Sequence, residues 1–66
     1  MSPERFAVRL RQLRKSKGIT QAELAKKAGV SRAYLSRLEM GQHDPPLSRL
    51  RKLAKALRVS LARLVK

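Results

Sequence analysis

Two helix-start signals, Thr20 and Ser31, stand on either side of a lone glycine, Gly29, and this arrangement constrains the chain more than any other feature of it. Thr20 with Glu23 makes a T-x-x-E capping box, in which hydroxyl and carboxylate each satisfy a backbone group that a helix start leaves without a partner. Leu24 and Ala28 fall on the inner side of the helix that follows, and Ala25 is small enough for a second helix to come close. Gly29 ends that helix, because a left-handed backbone carries little penalty only for glycine. Val30 fills the junction, Ser31 caps a further helix, and Leu35 and Leu38 give that helix its inner side. Residues 21–28 and 32–40 are therefore expected as two short helices packed across a tight turn.

At about 100° per residue, a second helix with Leu35 pointing inward keeps Leu38 and Ser31 on the same side. Ala33, Ser36, Arg37 and Met40 point the other way, with Arg32 at the edge. Short side chains and two arginines suit a face that enters the major groove of duplex DNA. Small residues permit close approach, an arginine bonds a guanine edge bidentately, and an alanine methyl meets a thymine methyl. Arg32, Ala33, Ser36 and Arg37 are the base-reading candidates. A merely solvated basic face has the same composition, and the helical wheel does not separate the two.

Charge adds to the case for DNA. Seventeen Lys and Arg against four Asp and Glu give a formal net charge of +13 over 66 residues. Self-repulsion on that scale works against a compact state, and a polyanionic partner relieves it. The 42% hydrophobic content, set at helical spacing, argues against a disordered chain. Phe6 and Tyr34 are the only aromatics, too few for the stacking platforms of single-strand and RNA binders. The length allows one small domain, 1–66, without a separate sensor or effector unit. With no cysteine and one histidine, neither a disulfide framework nor a metal site is expected. No apolar run is long enough for a signal peptide or a membrane span, so the expected location is the cytoplasm, at the nucleoid. No catalytic constellation stands out, so no enzyme, cofactor or small-molecule ligand is expected.

The rest of the chain supplies flanking helices, expected over residues 3–17, 46–57 and 61–65. Ser2 caps the first, with Pro3 at its first position and Glu4 facing its positive end. Phe6, Leu10 and Leu13 make its apolar stripe, Gly18 stops it, and Ile19 staples the next helix start to the core. Arg5, Arg9, Arg11, Lys15 and Lys17 read as a solvated face. Gln42-His43-Asp44-Pro45-Pro46 is a loop stiffened by two prolines. Pro46 is expected to open the fourth helix, whose core face would be Leu47, Leu50, Leu53, Ala54 and Leu57. Ser60 caps the last helix, which carries Leu61, Leu64 and Val65 on its apolar side.

The run T-Q-A-E-L-A-x-x-A-G-V-S-x-x-Y-L-S-R-L-E-x-G, residues 20–41, resembles the helix-turn-helix of the lambda-repressor-like family (Cro/repressor, Xre type). The resemblance extends from about Leu10 to Leu64. It implies an all-α fold of five short helices, with the helix-turn-helix at helices two and three, that binds double-stranded DNA and regulates transcription. It also implies that Gln21 clamps a phosphate, its side chain acting with backbone N–H groups at the helix start. Arg14 and Glu39 hold positions that pair in the family, which would fix the angle of the recognition helix and leave Arg14 near the DNA backbone. Tyr34 would pack its ring at the helix edge with its hydroxyl toward phosphate. In the family the loop after the recognition helix lies along the backbone. Gln42 and His43 can donate there, whereas Asp44 opposes the contact.

Family members commonly act as two-fold homodimers, for which Leu61, Leu64 and Val65 are the candidate contacts. Two chains this basic repel one another, so pairing would form mainly on DNA. Two departures from the pattern stand out: Arg58, where the family often has glycine, and Arg63, near a helix start that favours acids. The same fold also serves as an interaction module of antitoxin or coactivator type, for which an exposed apolar patch is the expected mark. A non-specific architectural DNA binder is the third reading that the charge allows.

Overall fold

Four of the five helices start where an N-cap side chain accepts from a backbone N–H of the first turn. In the computed structural model, which describes residues 2–66, α1 spans Pro3–Ser16, α2 Gln21–Ala28, α3 Arg32–Glu39, α4 Leu47–Leu57 and α5 Leu61–Val65. Met1, the first residue of the expected domain, lies outside the described residues. Ser2, Ser31 and Ser60 accept from the backbone N–H of Arg5, Tyr34 and Arg63 at 3.2, 3.0 and 3.1 Å. The capping box of α2 is complete. Thr20 Oγ1 accepts from the Glu23 backbone N–H at 3.1 Å, and Glu23 Oε1 accepts from the Thr20 backbone N–H at 2.9 Å. The second of these bonds holds the Glu23 carboxyl below its ordinary range, helped by the Thr20 hydroxyl and, more weakly, by Lys27.

α2 and α4 pack together, α1 and α2 both lie against α3, and α5 closes the far side against α1 and α4. Phe6, Leu10, Leu24, Leu35, Leu38, Leu53, Leu57 and Leu64 meet in one core from which water is almost wholly excluded. Burying each such side chain contributes about 1.5–3 kcal/mol, which explains why leucines at helical spacing suffice for a domain of this size. Gly29 turns α2 into α3 at φ +70°, as a tight turn requires. Arg58 holds the same left-handed conformation, φ 57° and ψ 42°, at the end of α4, without the freedom glycine has there.

α1 and α3 each stop one residue short of the expected bounds, with Lys17 and Met40 as their C-caps, and three further details differ from expectation. Pro46 is not the first helical residue of α4 but its N-cap, with ψ 161° in the extended range and no side-chain cap bond. Leu47 is 51% exposed rather than part of the core. It sits at the open end of α4, one turn before the buried stripe begins at Leu50. Ser31, placed inward by the wheel, is exposed, because its hydroxyl turns back to cap α3. No helix of the described residues is long and apolar enough to cross a membrane.

Candidate nucleic-acid interface

The end of α3 is tied down by side chains from two other helices. Glu39 is a charged residue only 2% exposed, at the last position of α3. Its Oε2 accepts from Arg14 Nε at 2.6 Å, and its Oε1 accepts from Arg14 Nη2 at 3.0 Å. This two-point geometry is the strong form of an arginine–carboxylate pair. Gln21 Nε2 donates to Glu39 Oε1 at 3.1 Å, and Arg14 Nη1 reaches the Ile19 carbonyl at 2.9 Å. The bond to Glu39 outweighs partial burial and raises the Arg14 pKa above its ordinary value, so the guanidinium stays charged. Every buried side-chain polar atom among the described residues has a hydrogen-bond partner. Such satisfaction is what lets an ion pair stand inside a small core.

Arg11, exposed as the solvated-face reading has it, also joins this network. Its Nη1 donates to the Glu39 backbone carbonyl at 2.9 Å, satisfying one of the acceptors that a helix end leaves free. Its spacing of three from Arg14, which sets both on one face of α1, is the sequence signal that finds it. α1 and α2 thus hold α3 by its C-terminal end and leave its outward face clear.

On that face Arg32, Ala33 and Arg37 are exposed and Ser36 is half-buried. No acid interrupts these four, since Glu39 turns inward. Met40, just beyond the helix, is 59% exposed. The loop that follows is pinned at both ends. The Gln42 backbone N–H bonds to the Arg37 carbonyl at 3.0 Å, and Pro45 is buried. Gln42, His43 and Asp44 are left exposed between these anchors. Tyr34 is half-buried, and its ring lies against both His43 of the loop and Arg49 of α4. Arg49 escapes sequence reasoning, since nothing local links it to a tyrosine on another helix.

The three residues expected at a dimer contact divide. Leu64 is fully buried in the monomer core and has no surface to offer a second chain. Leu61 and Val65 are half-buried at its margin, which narrows the expected contact to those two. No group of His, Cys, Asp and Glu able to hold a metal ion occurs among the described residues.

The helix-turn-helix family profile matches residues 10–64. The uncharacterized HTH-type transcriptional regulator y4dJ of Sinorhizobium fredii is 46% identical over 54 residues, covering 82% of this chain and 70% of that protein. The immunity repressor protein of Bacillus phage phi105 is 39% identical over 57 residues, 86% of this chain but 40% of the repressor. The HTH-type transcriptional regulator SinR of Bacillus subtilis is 44% identical over 54 residues, 80% of this chain and 49% of SinR. Against these last two the chain spans half the relative's length or less. Among solved structures, the restriction-modification controller protein C.AhdI from Aeromonas hydrophila superposes with a TM-score of 0.92 at 39% identity, over 94% of each chain.

Proposed function

The chain belongs to the helix-turn-helix family of lambda-repressor-like, Xre-type regulators, and we propose that it binds double-stranded DNA by sequence as a small regulator of transcription. The observation that carries this reading is the anchoring of Glu39 by Arg14, Arg11 and Gln21. It presents an outward face of Arg32, Ala33, Ser36 and Arg37 at a fixed angle, which is the requirement for reading base edges in the major groove. Arg14, Gln21, Gln42 and His43 border that face as phosphate contacts, with the Tyr34 ring beside them. Gln21 sits at the first position of α2, where helix N–H groups favour an anion. The domain works in the cytoplasm, on the nucleoid, as a homodimer that forms chiefly on DNA and pairs through Leu61 and Val65. It is not an enzyme.

Selection from a random duplex library tests the reading directly. An enriched motif with a dyad is expected, and a pool that stays random refutes sequence-specific binding. If about eight phosphates are neutralised per bound pair, log K falls against log salt with a slope near −7. No specific observation favours an interaction module instead. The exposed large apolar residues Val8, Met40 and Leu47 stand on three separate segments, and none lies among the four outward positions of α3.

A further inference from the structure

Two side chains from outside α3 lie against the ring of Tyr34. The guanidinium carbon of Arg49, on α4, stands 4.8 Å from the ring centroid. The imidazole of His43, in the loop, stacks with its centroid 6.0 Å away and its plane inclined by 22°. We propose that the three form one phosphate-binding site beside the base-reading face, in which Arg49 and His43 grip the DNA backbone and Tyr34 acts through its ring, as the platform that holds them, rather than through its hydroxyl. This deepens the DNA-binding reading above and rests on it.

Arg49 has no carboxylate partner, since Arg14–Glu39 is the only ion pair among the described residues. The face of the Tyr34 ring takes the place of an acid. A guanidinium laid on an aromatic face keeps its N–H edge free, and that edge matches two phosphate oxygens. An acid at the same place would hold Arg49 equally well but would repel phosphate. The ring is itself fixed, because Tyr34 is half-buried against the core and its backbone N–H bonds to the Ser31 cap. Arg49, an exposed residue on another helix, is thereby held against α3, the helix that carries Arg32 and Arg37. His43 is placed by the pinned ends of its loop. Ordering a long arginine in advance removes rotamer entropy that binding would otherwise have to overcome.

The test is a set of salt titrations with a short random-sequence duplex, after the wild-type protein has been shown to bind it. Arg49→Gln is expected to weaken binding about fivefold on any sequence and to flatten the salt slope by about 1. Tyr34→Leu, which keeps apolar packing but removes the aromatic face, is expected to flatten the slope by a similar amount although it removes no charge. Tyr34→Phe is expected to stay within about twofold of wild type. The double variant Tyr34→Leu/Arg49→Gln is expected to lose little more than Arg49→Gln alone, and His43→Ala to cause a smaller loss than Arg49→Gln. Circular dichroism checks that each variant is folded. Equal losses for Tyr34→Phe and Tyr34→Leu would make the hydroxyl the contact and overturn the platform role. An unchanged slope for Tyr34→Leu, or fully additive losses in the double variant, overturns it as well. A wild-type protein that binds no duplex overturns the DNA-binding reading itself, and this proposal with it.

Discussion

Replacing Arg14 by Met and Glu39 by Leu, singly and together, measures how firmly the outward helix is held. Glu39 is 2% exposed and the Arg14 side chain 12%, so neither charge has bulk water to fall back on. Glu39→Leu removes the acceptor of two arginine bonds, at 2.6 and 3.0 Å, and leaves a partly buried guanidinium unpaired. Hydrogen bonds to charged groups contribute about 1.5–3 kcal/mol each, and Arg14 keeps its bond to the Ile19 carbonyl, so a net loss of about 2–3 kcal/mol follows. Arg14→Met costs a similar amount, because the carboxylate is left with Gln21 alone among its side-chain donors. The double variant leaves no unpaired charge. Its cost is the Ile19 carbonyl without its donor and some imperfect packing, about 1–2 kcal/mol. The coupling energy should therefore be about 2–5 kcal/mol.

A domain of this length has about 3–10 kcal/mol of total stability, so each single variant should lower the thermal midpoint by roughly 10–20 °C. Urea unfolding of the four proteins, followed by far-ultraviolet circular dichroism, gives the coupling. DNA affinity of the double variant should remain at least about tenfold below wild type, because α3 is no longer fixed at its end. A coupling below about 0.5 kcal/mol would refute the reasoning, and Glu39 would then be an acid that merely tempers neighbouring positive charge.

Three other outcomes are expected. Arg58→Gly should raise the unfolding free energy by a few tenths to about 1 kcal/mol in urea titrations, since glycine relieves the left-handed strain at φ 57° but adds freedom to the unfolded chain; a measured loss would show that the Arg58 side chain makes up for the strain. Arg37→Ala should cost about 1–3 kcal/mol on the selected duplex and relax its sequence preference, whereas Lys55→Ala, on α4, should weaken binding slightly and uniformly; equal losses for Arg37→Ala on selected and random duplexes would remove its base-reading role. Glu23, with its folded pKa lowered by the capping box, stabilises the fold above the ordinary glutamate range, and that stability is lost as pH falls through the lowered value. A carboxyl NMR titration should place Glu23 below the ordinary glutamate value, and Thr20→Ala should bring it back up.

Much of the site can be read from neighbours in sequence. Thr20 with Glu23, Ser31 with Tyr34 and Ser60 with Arg63 each cap across three positions, and so depend on the local chain alone. The turn at Gly29 and the outward set Arg32, Ala33, Ser36 and Arg37 follow in the same way, from local backbone preference and a fixed angle per residue. The left-handed position of Arg58 was legible from the family pattern, where glycine commonly stands.

What spans the chain was decided by packing. Arg11 and Gln21 reach Glu39 from 28 and 18 positions away, and no local pattern shows that α1 and α2 both meet the end of α3. Tyr34 meets Arg49 only because the first turn of α4 comes back beside the first turn of α3, after a loop that includes the buried Pro45. The same limit applies at the helix ends. Leu47 and Leu64 are leucines on apolar stripes, yet one is half in water and the other fully enclosed. Spacing says which face of a helix is apolar; where along that face a neighbouring helix stops covering it is set by how five helices cross.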